Sequence, residues 1–178
     1  MHVIQLRTID STNTYAKQHV DEFPKHQITC ISADEQTAGR GRFQNSWISP
    51  PGVNLYVTFY FQLPHATPHI TCLAQLLAVS LARILQEEGV HPQIKWPNDV
   101  LLNHKKIAGI LCETAFQETA IDLFLGIGVN VNMQLADLAK IGATATSLQL
   151  ETGKSWDRNY LLQKLQRQLE RDLPLFRK

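Results

Sequence analysis

Two segments of this chain carry residue types and spacings suited to handling anions. Gln36-Thr37-Ala38-Gly39-Arg40-Gly41-Arg42 sets two arginines among glycines. Each guanidinium is a planar fork of donors that matches carboxylate or phosphate oxygens, and glycine lets the backbone come close to a ligand. Taken alone, the run reads equally well as a solvated basic loop. Lys95-Trp96-Pro97-Asn98-Asp99, followed by Lys105-Lys106-Ile107-Ala108-Gly109, gathers lysines, an amide and a carboxylate. Such a set can orient phosphates, and Asp99 suits a hydrated Mg²⁺, which takes oxygen ligands and keeps its waters. The plainer reading is a surface turn with ordinary lysines.

Other segments say less by themselves. Gly126-Ile127-Gly128-Val129-Asn130-Val131-Asn132 leaves room for a flat base beside amide donors and acceptors. It lacks the spacing and strand–helix setting of a dinucleotide fingerprint. Asp10-Ser11-Thr12-Asn13 reads first as a helix cap whose hydroxyls could also face a polar ligand. His65 and His69 stand four apart, but Pro68 intervenes and no third metal ligand is placed. Cys112 sits in an apolar run and reads as a small buried hydrophobe rather than a nucleophile. Gly153-Lys154-Ser155 lacks the upstream glycine of a Walker loop.

Positioning these groups calls for a mixed set of elements. Strands are expected over 2–8, 27–33, 55–63, 93–96, 100–103, 106–114 and 120–131, with a turn at Asn103-His104-Lys105 and a bulge or close backbone approach at Gly126 and Gly128. Helices are expected from the Asp10/Ser11 cap to about Val20, over 71–88 with Gly89 as the stop, and along the stripe Leu161, Leu165, Leu169, Leu173, ended by Pro174. A long polar loop fills 34–53. Helices interleave with strands at first and strands then run together, which predicts an α+β fold: a mixed, largely antiparallel sheet covered by helices on one face.

The bulk numbers bound the partners. With 178 residues, 44% hydrophobic and 19% charged, the chain suits one globular domain with a real core. A formal net charge of +1 disfavours a strong electrostatic DNA binder. Cys30, Cys72 and Cys112 are odd in number and contain no Cys-x-x-Cys pair, which fits a reducing compartment. Met1–Ile9 has no signal-peptide pattern. The longest apolar stretches read as too short and too broken to span a bilayer. The expectation is a cytoplasmic protein with neither DNA nor membrane as partner.

Taken together and in order, the motifs resemble the biotin protein ligase (biotin–acetyl-CoA-carboxylase ligase) family. The matching segments are DSTN at 10–13, EQTAGRGR at 35–42, Trp47-Ile48-Ser49-Pro50, NLY at 54–56, KWPNDVLL at 95–102, KKIAGILCE at 105–113 and GIGVNVNM at 126–133. The resemblance implies a biotin/lipoate ligase-like fold. It also implies that biotin and ATP form biotinyl-5′-adenylate, and that a lysine of a biotin carboxyl carrier domain of acetyl-CoA carboxylase then takes the biotinyl group. It implies Mg²⁺ held near Asp99, and it allows a homodimer.

By the same resemblance, Ser11, Thr12, Asn13 and Gln36 face the ureido head of biotin. Arg40, Gly41 and Arg42 grip the biotin carboxylate and the adenylate phosphate. Lys106 and Lys95 add catalytic charge, and Gly109 belongs to the biotin site. Trp47 packs by the adenine, with Asn98 and Asn130 on the nucleotide side. Ile107, Ala108, Gly109 and Leu111 are candidates for the apolar walls. The chain departs from the family at Phe43-Gln44-Asn45-Ser46, where many members carry a further glycine and a basic residue; Gln44 is expected to stiffen the loop. Residues 1–178 read as the catalytic domain alone, without the helix-turn-helix of some members or the C-terminal β-barrel-like domain. A lipoate-type ligase and a non-catalytic biotin-binding homologue remain as alternatives.

Overall fold

Strict alternation in the strands decides which side of the sheet carries the core and which is left for chemistry. The computed structural model describes residues 1–142 and 144–176, with the backbone alone at 44, 175 and 176. The elements in order are β1 (His2–Ile9), α1 (Thr12–Gln18), β2 (Thr29–Gln36), β3 (Leu55–Pro64), α2 (Leu73–Glu87), β4 (Gln93–Lys95), β5 (Asp99–Leu102), β6 (Lys105–Phe116), β7 (Ala120–Val129), α3 (Leu135–Leu138), α4 (Leu148–Thr152) and α5 (Arg158–Phe176). One seven-stranded sheet has the order β1-β2-β3-β7-β6-β5-β4. Only β1 and β2 run parallel, so the sheet is mixed and largely antiparallel, as expected.

Along β3, Leu55, Val57, Phe59, Phe61 and Leu63 join the main core, while the alternate residue Tyr60 joins a second cluster. Helices α2 and α5 cover the first face with Leu77, Leu81 and Leu85 from one and Leu161, Leu165 and Leu169 from the other, all buried. Burying each such leucine stabilises the fold by roughly 1.5–3 kcal/mol. The short helix α1 lies on the opposite face, where Ala16 packs with Ile31, Tyr60 and Phe124. The candidate site lies on that face beside α1.

Several local expectations change. Strand β2 runs on to Gln36, because β1 continues alongside and pairs Thr8 with Glu35 and Ile9 with Gln36; the polar side chains hid the extension. No bulge occurs at Gly126 or Gly128, since β7 keeps an unbroken register with both neighbours, and the strand ends at Val129 rather than Val131. The irregularity falls instead between Val100 and Leu101. The turn before β6 is the pair Asn103-His104, both left-handed at φ 47° and 63°, as a two-residue hairpin of the I′ kind requires.

Helix α5 passes through Pro174 to Phe176. A proline this close to a helix end forfeits one backbone hydrogen bond, too little to stop a helix whose leucine stripe is already buried. The segment Ile70–Glu87 is long and apolar enough by composition to cross a membrane, contrary to the sequence reading. Here its apolar side is taken up by the sheet.

Candidate functional site

A missing row of side chains makes the pocket. Strands β6 and β7 place Gly109 opposite Gly128 and Leu111 opposite Gly126, on the face that carries α1. Above this floor lies a cavity of about 240 Å³. Three side chains lean over the glycines. The Asn13 amide lies over Gly126 and the Trp47 indole over Gly128, each so close that a Cβ would overlap it. A Cβ on Gly109 would stand 3.0 Å from both Lys106 Nζ and the Trp47 ring. These glycines matter for close approach, since none of the three has a positive φ.

One wall is the start of α1. Ser11, Thr12 and Asn13 are buried, and the Ser11 hydroxyl makes no capping bond. The first helical N–H, that of Thr12, donates instead to Gln36 Oε1 at 2.9 Å. A hydrogen-bond chain crosses the site from there. Asn13 Nδ2 donates to Glu113 Oε2 at 2.9 Å, and the Thr58 hydroxyl donates to Asn13 Oδ1. The Thr58 and Thr12 hydroxyl oxygens lie 2.8 Å apart, and the Thr12 hydroxyl donates to Gln36 Oε1 at 3.2 Å. Gln36 Nε2 donates to Ser49 Oγ at 3.0 Å, and Ser49 Oγ donates to the Trp47 carbonyl at 3.0 Å. The chain thereby joins β6, α1, β3 and β2 to the glycine–arginine loop.

That loop doubles back as a small hairpin: Arg40 bridges Ser46, Gly41 N–H donates to Asn45 O, and Trp47 N–H donates to Gly39 O. The turn places Trp47 over the sheet. Phe43 takes the left-handed conformation, with φ 54° and ψ 39°, and is exposed. The left-handed residue of the loop is thus Phe43; the stiffening expected at Gln44 falls on a side chain outside the described residues.

The cations of the pocket are each engaged internally. Arg40 pairs with Glu113 Oε1, which Lys17 Nζ also meets at 2.7 Å. Arg42 Nη1 donates to Asn98 Oδ1 at 3.2 Å, while Asn98 Nδ2 donates to the Ile110 carbonyl. Lys106 Nζ lies 2.7 Å from Asp99 Oδ1 and 5.3 Å above the Trp47 ring. Burial alone would push the Glu113 carboxyl up. Hydrogen bonds from Lys17 and Asn13 and the charges of Lys17 and Arg40 outweigh it and hold the group below the usual carboxylate range.

Trp47 separates the pocket from a second cavity of about 160 Å³ that also touches Lys106 and is lined by Asn130 and Ile141. The Trp47 indole N–H is buried and has no acceptor among the described residues. An orphaned buried donor costs about 1–3 kcal/mol, so a ligand acceptor at the boundary of the two cavities would be welcome.

Most of the residues singled out from sequence therefore meet in one place: Ser11, Thr12, Asn13, Gln36, Arg40, Gly41, Arg42, Trp47, Asn98, Asp99, Lys106 and Gly109 all line the pocket. Lys95 does not. It lies exposed on edge strand β4, one strand beyond Asp99, and reaches solvent rather than the cavity. Ile107 and Ala108 belong to the main core on the other face of the sheet and are no wall of the pocket; Leu111 is. Asn130 faces the second cavity, and its amide is spent on structure, donating to the Thr146 carbonyl and accepting from Asn54.

Glu113, Lys17, Thr58 and Ser49 were missed. Glu113 and Ser49 lie inside motif segments, but their partners are far away in sequence, and only the fold reveals them. Cys112 is not activated: burial, with help from the Glu113 charge, pushes its thiol up to about 11. His65 Nε2 lies 2.9 Å from the Gln117 carbonyl. Among the described residues no group of three His, Cys, Asp or Glu is placed to hold a metal.

Chemically, this is a narrow, glycine-floored slot in which Arg40, Arg42 and Lys106 converge, with amides and hydroxyls at one end and an indole at the other. It can hold two anionic groups close together while they react. A model of the biotin/lipoate A/B protein ligase family matches residues 6–130. The bifunctional ligase/repressor BirA of Escherichia coli is 36% identical over 176 residues, covering 98% of this chain and 54% of that protein. The chain spans about half the length of the curated relatives it matches. Among solved structures, the biotin protein ligase of Aquifex aeolicus in complex with biotin and ATP superposes with a TM-score of 0.79 at 33% identity, covering 99% of this chain and 72% of that one. The Leishmania major biotin protein ligase in complex with biotinyl-5-AMP gives 0.74 at 25% identity, covering 94% and 73%.

Proposed function

This chain belongs to the biotin/lipoate A/B protein ligase family, and from that premise we propose that it joins biotin to a carrier-protein lysine in two steps. First a biotin carboxylate oxygen attacks the α-phosphorus of ATP, and pyrophosphate leaves as biotinyl-5′-adenylate forms. Then the neutral amine of a lysine on a biotin carboxyl carrier domain, such as that of acetyl-CoA carboxylase, attacks the acyl carbon. AMP leaves and the amine proton passes to solvent.

The observation that carries this reading is the convergence of Arg40, Arg42 and Lys106 on a slot floored by Gly109, Gly126 and Gly128. A carboxylate and a triphosphate repel each other, so fixed positive charge must bring them together and stabilise the charge that moves onto the leaving group. Lys106 is the central cation, because it stands at the junction of the two cavities. The cavity over the glycines suits biotin, with Ser11, Thr12, Asn13 and Gln36 toward the ureido head and Gly109 and Leu111 along the ring and chain. The cavity beyond Trp47 suits the nucleoside. Arg40, Gly41 and Arg42 close over the carboxylate and phosphate and keep water from the anhydride.

Magnesium enters with the triphosphate, as part of the substrate. Asp99 fits it, since Mg²⁺ takes one or two carboxylates beside phosphate oxygens and Asp99 is next to Lys106. The cytoplasm is the proposed compartment, in keeping with the free thiols of Cys30, Cys72 and Cys112.

The test is ATP–pyrophosphate exchange with biotin or lipoate as the acid. Exchange dependent on biotin is expected. Exchange with lipoate alone, or biotin binding without exchange, would contradict the proposal.

A further inference from the structure

Glu113 stands beside the pocket, next to Leu111 on β6, where it meets Arg40 of the glycine–arginine loop, and both its oxygens are engaged. Oε1 takes Arg40 and Lys17, and Oε2 takes Asn13. Arg40 is half-exposed at the mouth, whereas Glu113 is largely covered. Arg40 meets Glu113 through Nη2, so an anion in the slot that draws this end of the guanidinium must compete with Glu113 for it. Lys17 and Asn13 sit on α1, outside the loop, so they give Glu113 a counter-charge and a donor independent of Arg40. Exchanging one carboxylate for another at a guanidinium costs little; removing Arg40 from Glu113 with nothing in return would forfeit a charge-assisted pair.

Resting on the proposed function for the identity of the anion, we propose that Glu113 is a positioning residue that makes loop engagement conditional on a charged ligand. It holds Arg40 in the empty pocket and yields it to the carboxylate or phosphate of the substrate. A neutral analogue of the same shape offers nothing in exchange and leaves Arg40 on Glu113. Affinity for the acid over its uncharged counterpart is then set by the balance between two anions at one guanidinium, and not by attraction to a free arginine.

Glu113→Gln removes the charge and keeps an acceptor for Asn13. The affinities of the full chain for biotin and for its alcohol analogue, in which CH₂OH replaces the carboxylate, are compared by calorimetry. Biotin should bind about two- to fivefold more tightly to the variant, the scale of a partly exposed ion pair, while the alcohol is unchanged. A strut with no exchange role would weaken both equally, and that result, or an unchanged ratio, overturns the proposal.

A second measurement needs no variant. The Arg40 side-chain NMR resonance of the wild-type chain should show a held guanidinium without ligand, shift with biotin and stay with the alcohol. A freely averaging resonance in the empty protein overturns the proposal. If biotin fails to bind, inorganic phosphate is the probe. A phosphate-induced shift of Arg40 then supports the exchange while contradicting biotin as substrate; no shift with any anion overturns the exchange.

Discussion

The Trp47 indole occupies the place where a side chain of residue 128 would stand. The loop that carries Trp47 and the strand that carries Gly128 are thus fitted to each other, and the same indole divides the slot into two cavities. Gly128→Ala should push the ring aside. Overpacking of this kind costs about 1–3 kcal/mol in a rigid core, but here the loop can yield, so the melting temperature should fall little while adenylate formation falls at least tenfold. Trp47→Ala should rescue the packing and not the activity. A Gly128→Ala variant with normal adenylation would refute this role of the ring.

Lys106 and Arg40 carry the charge. Lys106→Ala should also leave the Asp99 carboxylate without its 2.7 Å partner. Each single alanine variant is expected to lower adenylate formation by about 10²-fold or more, the usual scale for one transition-state contact. Lys95→Ala, on the exposed edge strand, should stay near the wild-type rate. Pyrophosphate exchange reads all three, and near-normal rates for Lys106→Ala and Arg40→Ala together would remove the site.

Glu113 predicts a pH dependence of stability. Its carboxyl is held below the ordinary value of 4.5 in the folded chain, so the folded state prefers it ionised. The contribution is present above the ordinary value and is lost as pH falls through the lower, folded one. Denaturant titrations should show wild type more stable than Glu113→Gln by a constant margin from neutral pH down to about 4.5, shrinking in stronger acid. A margin that grows as pH falls would contradict the network.

Thiol chemistry should single out one cysteine. Burial pushes Cys30 and Cys112 up to about 11, leaving little thiolate at pH 8, whereas Cys72 is exposed. Brief iodoacetamide treatment followed by peptide mass spectrometry should find Cys72 alkylated first. Preferential labelling of Cys112 would mean that its surroundings differ from those described.

The parts of the site legible in the sequence were those whose chemistry is local. Gly39-Arg40-Gly41-Arg42 and the run from Asn98 to Gly109 announce an anion site because the needed groups are neighbours in the chain. The alternating residues of β3 and the leucine stripe of α5 announced the sheet and its main cover. Contacts between distant residues were hidden. Glu113 meets Lys17 across 96 positions and Arg40 across 73, and no single-sequence pattern couples them. Lys95 stays outside the pocket lining for a related reason: it is adjacent to the site in its motif and pairs with Asp99, but its side chain lies exposed on edge strand β4. Ile107 and Ala108 look like pocket lining in sequence, yet both side chains go to the main core while Gly109 and Leu111 face the pocket.

The most direct test of the account is transfer itself. The 178-residue chain is incubated with Mg-ATP, biotin and an isolated biotin carboxyl carrier domain, and intact-mass spectrometry follows the carrier. The account predicts one biotinyl group on a single carrier lysine, dependent on ATP and abolished by Lys106→Ala. A carrier left unmodified, with no biotinyl-5′-adenylate formed by this chain, would contradict it.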